Sequence, residues 1–459
     1  MKRGVWGTRL GFYMAAIGAA FGLGSLWRFP YIVQENGGGA FVFVYFVVLV
    51  LIGIPMLVGE LLIGRITRRS AISAMKQISA QQAASKAPPM FYRHTRLIIG
   101  VLSLVVCIFI IGYYSVVSGW VLHYLIHFAT MPFFDMSGTT PTLMSGLRDR
   151  GWLQVLLASV HLVLVTIIVA KDFEEGLERF IGYVMPVFVL ALLFLLYQVS
   201  HLESLEPAVQ FFFYPDFSKL SLNSLGAAVG HVCFTLSIGF GAMITFGSYL
   251  KEEARVPSTG FRVAIMDSLM TIIAGLLIFP LLFSSPIKAS GPELLFQTVP
   301  VFFVESDGGK IFGLLFFICL YLAALGASLS LIETVTANFV DAFKINRAKA
   351  GWLAGGLCFL TTLPPALGTS LLKNMTVNNM SLLELIDSVL VNWFLPLIAL
   401  AMSFIARRRL NEKVRREEFI IQDDSTSEII YFHWLFLMKW VVPFVLILGL
   451  ILQVIALVR

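Results

Sequence analysis

The stretch GAAFGLGSLWRFP, residues 18–30, lies inside the first apolar run of the chain, residues 9–34. Gly18, Gly22 and Gly24 each cost about 1 kcal/mol relative to alanine in a helix, Ser25 brings a hydroxyl, and Arg28 carries a charge into the run. Unwinding there frees backbone groups that hydrocarbon cannot satisfy, so it is tolerated only where protein or a water-filled cavity receives them. A second run, FTLSIGFGAM at 234–243, repeats the device, with Gly239 and Gly241 two apart and Thr235 and Ser237 beside them. Glycine-interrupted helices at corresponding places in two halves of a membrane protein point to a transporter binding site. The plainer reading, that membrane helices are rich in glycine, accounts for one break better than for a matched pair.

Outward from the two breaks, the composition sets the class. Of 459 residues, 58% are hydrophobic and 13% charged, with mean hydropathy +0.86, far from the soluble norm of about 25% charged. A bilayer core takes roughly 20 apolar residues to cross. Eleven segments meet that length: 9–34, 39–64, 97–128, 152–170, 177–200, 222–249, 261–285, 309–342, 351–368, 382–406 and 434–457. The chain reads as an all-α membrane protein with eleven transmembrane helices. The breaks fall in segments 1 and 6, which divides it into repeats at 1–200 and 201–410, with a loop and segment 11 at 411–459. The first run has no small-residue cleavage site and is expected to stay in the mature protein.

The net charge of +6 concentrates in loops. Arg65, Arg68, Arg69, Lys76, Lys86, Arg93 and Arg96 lie between segments 2 and 3, and Arg407, Arg408, Arg409, Lys413, Arg415 and Arg416 between segments 10 and 11. That is the positive-inside pattern rather than a nucleic-acid surface, and it predicts a cytoplasmic N-terminus and an external C-terminus in the plasma membrane. Cys107, Cys233, Cys319 and Cys358 all fall in apolar segments, without disulfide or metal spacing. No paired histidines at metal spacing, G-x-S-x-G element or phosphate loop occurs, so no enzyme is expected.

Residues 6–65, WGTRLGFYMAAIGAAFGLGSLWRFPYIVQENGGGAFVFVYFVVLVLIGIPMLVGELLIGR, resemble the neurotransmitter:sodium symporter family in its bacterial amino-acid branch. The likeness continues through GYYSVVSGW at 112–120, EGLERFIGYVMP at 175–186, FTLSIGFGAMITFGSYL at 234–250 and YLAALGASLSLIETVTANFVDAF at 321–343. It implies the leucine-transporter fold, a five-plus-five inverted repeat with helices 1 and 6 unwound in mid-membrane.

By this resemblance the substrate carboxylate rests against Ala20, Gly22, Leu23 and Gly24 and the hydroxyl of Tyr114. The side-chain pocket is Ile110, Tyr114, Phe234, Ser237, Phe240, Ala327 and Leu331. Amine-carrying relatives place an aspartate at the position of Gly22, so the glycine here implies a substrate with its own carboxylate. The uncharged lining points to a neutral, hydrophobic amino acid.

The first sodium site matches Ala20, Ser25, Thr235 and Asp267, an oxygen set suited to a hard cation. The second matches Gly18, Phe21 and Ala323 plus two hydroxyls of segment 8, but Gly326 and Ala327 stand where the hydroxyls belong, and Ser328 faces about 100° further round. This site is read as degenerate. His231, Asp267 and Glu60 are candidate proton carriers, so proton coupling, sodium-independent exchange and a non-transporting receptor stay open beside sodium symport. The family's chloride site matches Tyr45, His231, Thr235 and Thr271; chloride is not expected to be required. The gates match Arg28 with Asp387 on the outer side, and Arg3 and Trp6 with Tyr249 and Asp341 on the inner side. Gly176 and Pro186 reproduce a spacing tied to unwinding of segment 5. The expected partners are the amino acid and membrane lipid, not nucleic acid; no oligomeric state follows.

Overall fold

The computed structural model describes residues 6, 9–20, 22–85, 90–131, 142–171, 174–287, 289–306, 308–377, 380–408, 410–419 and 425–458. Among them the chain is helical, apart from an isolated bridge between Val377 and Met380. Nine of these helices are long and apolar enough to cross a membrane. Segments 1 and 6 are missing from that set because each is cut into pieces too short to span: Arg9–Ala20 is 12 residues long and Leu222–Thr235 is 14.

Segment 8, Gly309–Phe343, is the centre of the bundle, with 83% of its most apolar stretch buried. Segment 11 lies at the rim, where the corresponding stretch is only 22% buried. Large apolar side chains such as Leu190, Phe444 and Ile451 are exposed on the outside of the bundle, as expected where the solvent is lipid.

The break in segment 6 has a defined cause. The helix ends in a Schellman arrangement: the Ile238 amide donates to the Cys233 carbonyl (2.8 Å) and the Ser237 amide to the Phe234 carbonyl (3.1 Å). Ser237 sits in the left-handed region at φ 53°, a place that normally takes glycine, and Gly239 and Gly241 follow at 88° and 75°. The chain re-enters a helix at Ala242–Ser248. In segment 1 the helix Arg9–Ala20 gives way to a bend at Gly22, a π-helical turn Gly24–Arg28 and the helix Phe29–Glu35. Pro186 is absorbed inside the helix Arg179–Val199, and Gly176 lies in the π-helical turn Glu174–Glu178 before it.

Candidate functional site

The two breaks meet. A Cβ on Gly24 would stand 2.9 Å from the Phe234 ring and 3.6 Å from the Thr235 methyl. The freed amides find partners on neighbouring segments: Leu23 N–H donates to the Tyr114 hydroxyl at 2.8 Å, and Gly239 N–H to Glu60 Oε1 at 2.7 Å. Buried backbone donors without such partners would each cost several kcal/mol in hydrocarbon, so Tyr114 and Glu60 hold the unwound geometry open.

Between the breaks lies a cavity of about 20 Å³, lined by Gly22, Gly24, Tyr114, Phe234, Ser237, Phe240, Ala327 and Leu331. Its residues are apolar or hydroxylic, without a charge. Gly22 forms its tightest wall: a Cβ there would stand 2.5 Å from both the Ala327 Cβ and the Tyr114 hydroxyl oxygen. Ile110, expected in the lining, is fully buried one turn from Tyr114 and is not among the residues that line this cavity. Leu23 contributes its backbone, with its side chain buried, and Ala20 ends the first half-helix.

Above the Phe234 ring, Arg28 closes the cavity on one side. Its Nη2 lies 3.1 Å from Asp387 Oδ2, and both residues are buried. Asp387 also accepts from Tyr113 (2.8 Å) and Tyr31 (3.3 Å). The guanidinium lies 5.5 Å over the Phe234 ring, and its Nη1 is 3.1 Å from His231 Nδ1. Because a guanidinium can only donate, that histidine nitrogen accepts and its proton sits on Nε2. Beyond the ion pair opens a vestibule of about 560 Å³, with Glu35, Glu384 and Asn392 in its wall.

On the opposite side, the Trp6 backbone amide donates to the Tyr249 carbonyl at 3.3 Å, and the Trp6 ring packs edge-on against Phe246. The Tyr249 hydroxyl donates to Glu333 at 2.9 Å, and Glu333 pairs with Arg347. Asp341 accepts from the Ser70 amide and hydroxyl, both at 2.8 Å, with Arg69 at 3.9 Å. Arg3 and Phe21 lie outside the described residues.

The first ion position is polar and under-satisfied. Asp267 is fully buried, and neither carboxyl oxygen has a hydrogen-bond partner among the described residues. One turn along, Thr271 Oγ1 is 3.3 Å from Ser25 Oγ, which brings segment 7 against the break of segment 1. Thr235, also buried, spends its hydroxyl on the His231 carbonyl at 3.2 Å. The Tyr45 hydroxyl lies beside Thr235 and Thr271. An unpaired buried carboxyl one turn from the hydroxyl pair of Ser25 and Thr271 is a donor set that suits a hard monovalent cation. The second position is different: a Cβ on Gly326 would stand 3.2 Å from the Gly18 carbonyl oxygen, and Ala323 is fully buried beside it.

The chain resembles known proteins along almost its whole length. The profile of the sodium:neurotransmitter symporter family matches residues 3–140 and 129–459. The chain belongs to that family. A sodium-dependent transporter of Haemophilus influenzae is 31% identical to this symporter over 455 residues, 97% of each chain. The sodium-dependent transporter YhdH of Bacillus subtilis is 29% identical over 448 residues, 96% of each. The crystal structure of MhsT in complex with L-phenylalanine superposes with a TM-score of 0.86 at 29% identity, covering 98% of this chain and 100% of that one. The symporter therefore has the leucine-transporter fold and is a multi-pass membrane transporter, not an enzyme.

Three participants escaped the sequence reading. Tyr113 is turned about 100° from Tyr114, so the paired tyrosines of GYYS serve the ion pair and the cavity separately. Glu333 was legible as a carboxylate inside a span, a default sign of function, but only the fold shows that Tyr249 and Arg347 receive it. Met185, whose methyl packs against Gly18 and Gly326, gives no chemical signal in a hydrophobic run.

Proposed function

We propose that this symporter carries neutral, hydrophobic amino acids by alternating access, coupled to a sodium ion held at the first site. One observation carries the reading: the Leu23 amide and Tyr114 hydroxyl form a polar corner in an uncharged, mostly apolar cavity between two half-helices. A substrate carboxylate would replace the mutual hydrogen bond of that corner with two donors of its own, Leu23 N–H and the Tyr114 hydroxyl. Charge-assisted bonds of this kind are roughly twice as strong as neutral ones. A charged side chain would meet no partner in the lining, and burying it there would be costly.

Gly22 supports the same conclusion, since no side chain, and so no protein carboxylate, fits beside Tyr114 and Ala327. The cavity is small, so binding an amino acid requires the Phe234 ring or the segment 1 turn to yield. Those are the two features that Arg28 covers from above. The sodium ligands would be Asp267, Ser25, Thr235, the Ala20 carbonyl and the substrate carboxylate, which joins ion and substrate in one site. Residues 1–200 and 201–410 would be the repeats whose relative rocking opens the vestibule side, then the Trp6 side. Proton coupling through His231 is disfavoured while the gate is shut, because Arg28 occupies its acceptor nitrogen. Chloride is not required in this reading.

The test is uptake of radiolabelled L-phenylalanine into proteoliposomes under separately imposed sodium and proton gradients. Accumulation driven by sodium, competed by leucine and methionine but not by aspartate or lysine, is expected. Accumulation driven only by protons would overturn the coupling, competition by charged amino acids would overturn the substrate class, and saturable binding without uptake would favour a receptor.

A further inference from the structure

The second sodium position of the family does not fit this chain. It calls for oxygens from segments 1 and 8, yet Gly326 and Ala327 supply no hydroxyl. The next hydroxyls along segment 8 are committed elsewhere. Ser328 Oγ lies 2.8 Å from Nε2 of His161 on segment 4, and Ser330 donates to the Gly326 carbonyl at 3.1 Å. Neither can turn toward segment 1 without leaving its partner.

The space is filled as well. A Cβ on Gly326 would stand 3.0 Å from the Met185 methyl, and a Cβ on Gly18 would stand 3.2 Å from the same methyl and 3.7 Å from the sulfur. One side chain of segment 5, only 1% exposed, therefore touches both glycines at the junction of segments 1, 5 and 8. A hard cation takes oxygen ligands, whereas a thioether suits soft metals and a methyl ligates nothing. Methionine is unbranched and adapts to irregular gaps, which is what two bare glycine backbones leave.

We propose that Met185 takes the place of the second sodium ion, joining segment 1 to segment 8 by apolar packing, so that transport is coupled to one sodium ion per substrate. The inference rests on the first-site reading given under Proposed function. Its consequence is a shallower pump. At zero membrane potential a tenfold sodium gradient then sustains about tenfold accumulation of a zwitterion, where two ions would sustain about a hundredfold.

The experiment counts ²²Na⁺ bound per protein by equilibrium dialysis of the purified full chain in saturating L-phenylalanine. The same count is made on Asp267→Ala, on a Met185→Ser/Gly326→Thr/Ala327→Ser triple variant, and on Met185→Leu. One ion is expected for the parent, none for Asp267→Ala, one more than the parent for the triple variant, and the parent count for Met185→Leu. Two ions in the parent overturn the proposal whether or not any variant folds. So does a triple variant that elutes and binds phenylalanine as the parent does yet gains no ion. A parent count of zero with a gain of one in the triple variant refutes the first-site reading instead, and leaves Met185 as the group that excludes the second ion.

Discussion

The two ion positions beside the break in segment 1 are built from opposite materials. At the first, a fully buried aspartate has no hydrogen-bond partner for either oxygen among the described residues, and Ser25 and Thr271 face each other across segments 1 and 7. At the second, two glycine backbones and a methionine methyl close together, with no side-chain oxygen among the nearest described atoms. The first is a site whose stability is sacrificed, since an unpaired buried carboxyl is expensive. The second is ordinary core packing. In the reading proposed above, the unsatisfied carboxyl marks where an ion belongs, and the tight apolar contact marks where one has been given up.

The largest expected effect lies outside both positions and calibrates them. Asp387→Ala strands the Arg28 guanidinium, and breaking one side of a buried pair costs about 3–5 kcal/mol. Thermal unfolding in detergent should show that loss while the number of sodium ions bound stays unchanged. Asp267→Ala should do the reverse. Hydrogen bonds and contacts to a charged group contribute about 1.5–3 kcal/mol, and with the carboxylate's charge gone as well sodium affinity should fall by at least roughly 100-fold, below what the ion count and the sodium dependence read. In sodium-free buffer the variant should unfold at or above the parent's temperature, because the orphaned carboxyl is gone; a lower temperature would make Asp267 a structural residue and break the comparison.

Gly326→Thr alone sharpens the second position. Its Cβ meets the Gly18 carbonyl and the Met185 methyl, and overpacking of this kind costs about 1–3 kcal/mol. Restoring the hydroxyl should therefore lower the unfolding temperature without raising sodium affinity in a binding titration. Smallest is Ser25→Ala, which removes one neutral oxygen worth about 0.5–1.5 kcal/mol. Sodium affinity should weaken by roughly two- to tenfold, measured by the same titration.

How much of this was legible in the sequence follows the same divide. Glycines and hydroxyls inside apolar runs located both breaks, and single charges such as Arg28, Asp267 and Asp387 announced themselves because charge in a span demands a reason. The left-handed Ser237 was not legible, since sequence assigns that conformation to glycine; its position follows from the Schellman closure on Cys233 and Phe234. The bonds of Asp341 to Ser70 were not legible either, since they depend on where the loop after segment 2 folds back. Ile110, placed in the pocket by resemblance, lies one turn from Tyr114 and outside the lining of this small cavity. Met185 was silent because filling a gap is a property of three segments together, not of any one residue.

The most direct test is the dependence of L-phenylalanine affinity on sodium concentration. Ligands that share a site are linked reciprocally, so the slope of log Kd against log sodium concentration counts the coupled ions. A slope of about −1 in the parent, rising to about 0 in Asp267→Ala, is the predicted result. A slope of about −2 in the parent, or one unchanged in Asp267→Ala, would contradict the assignment of one live ion position and one closed one.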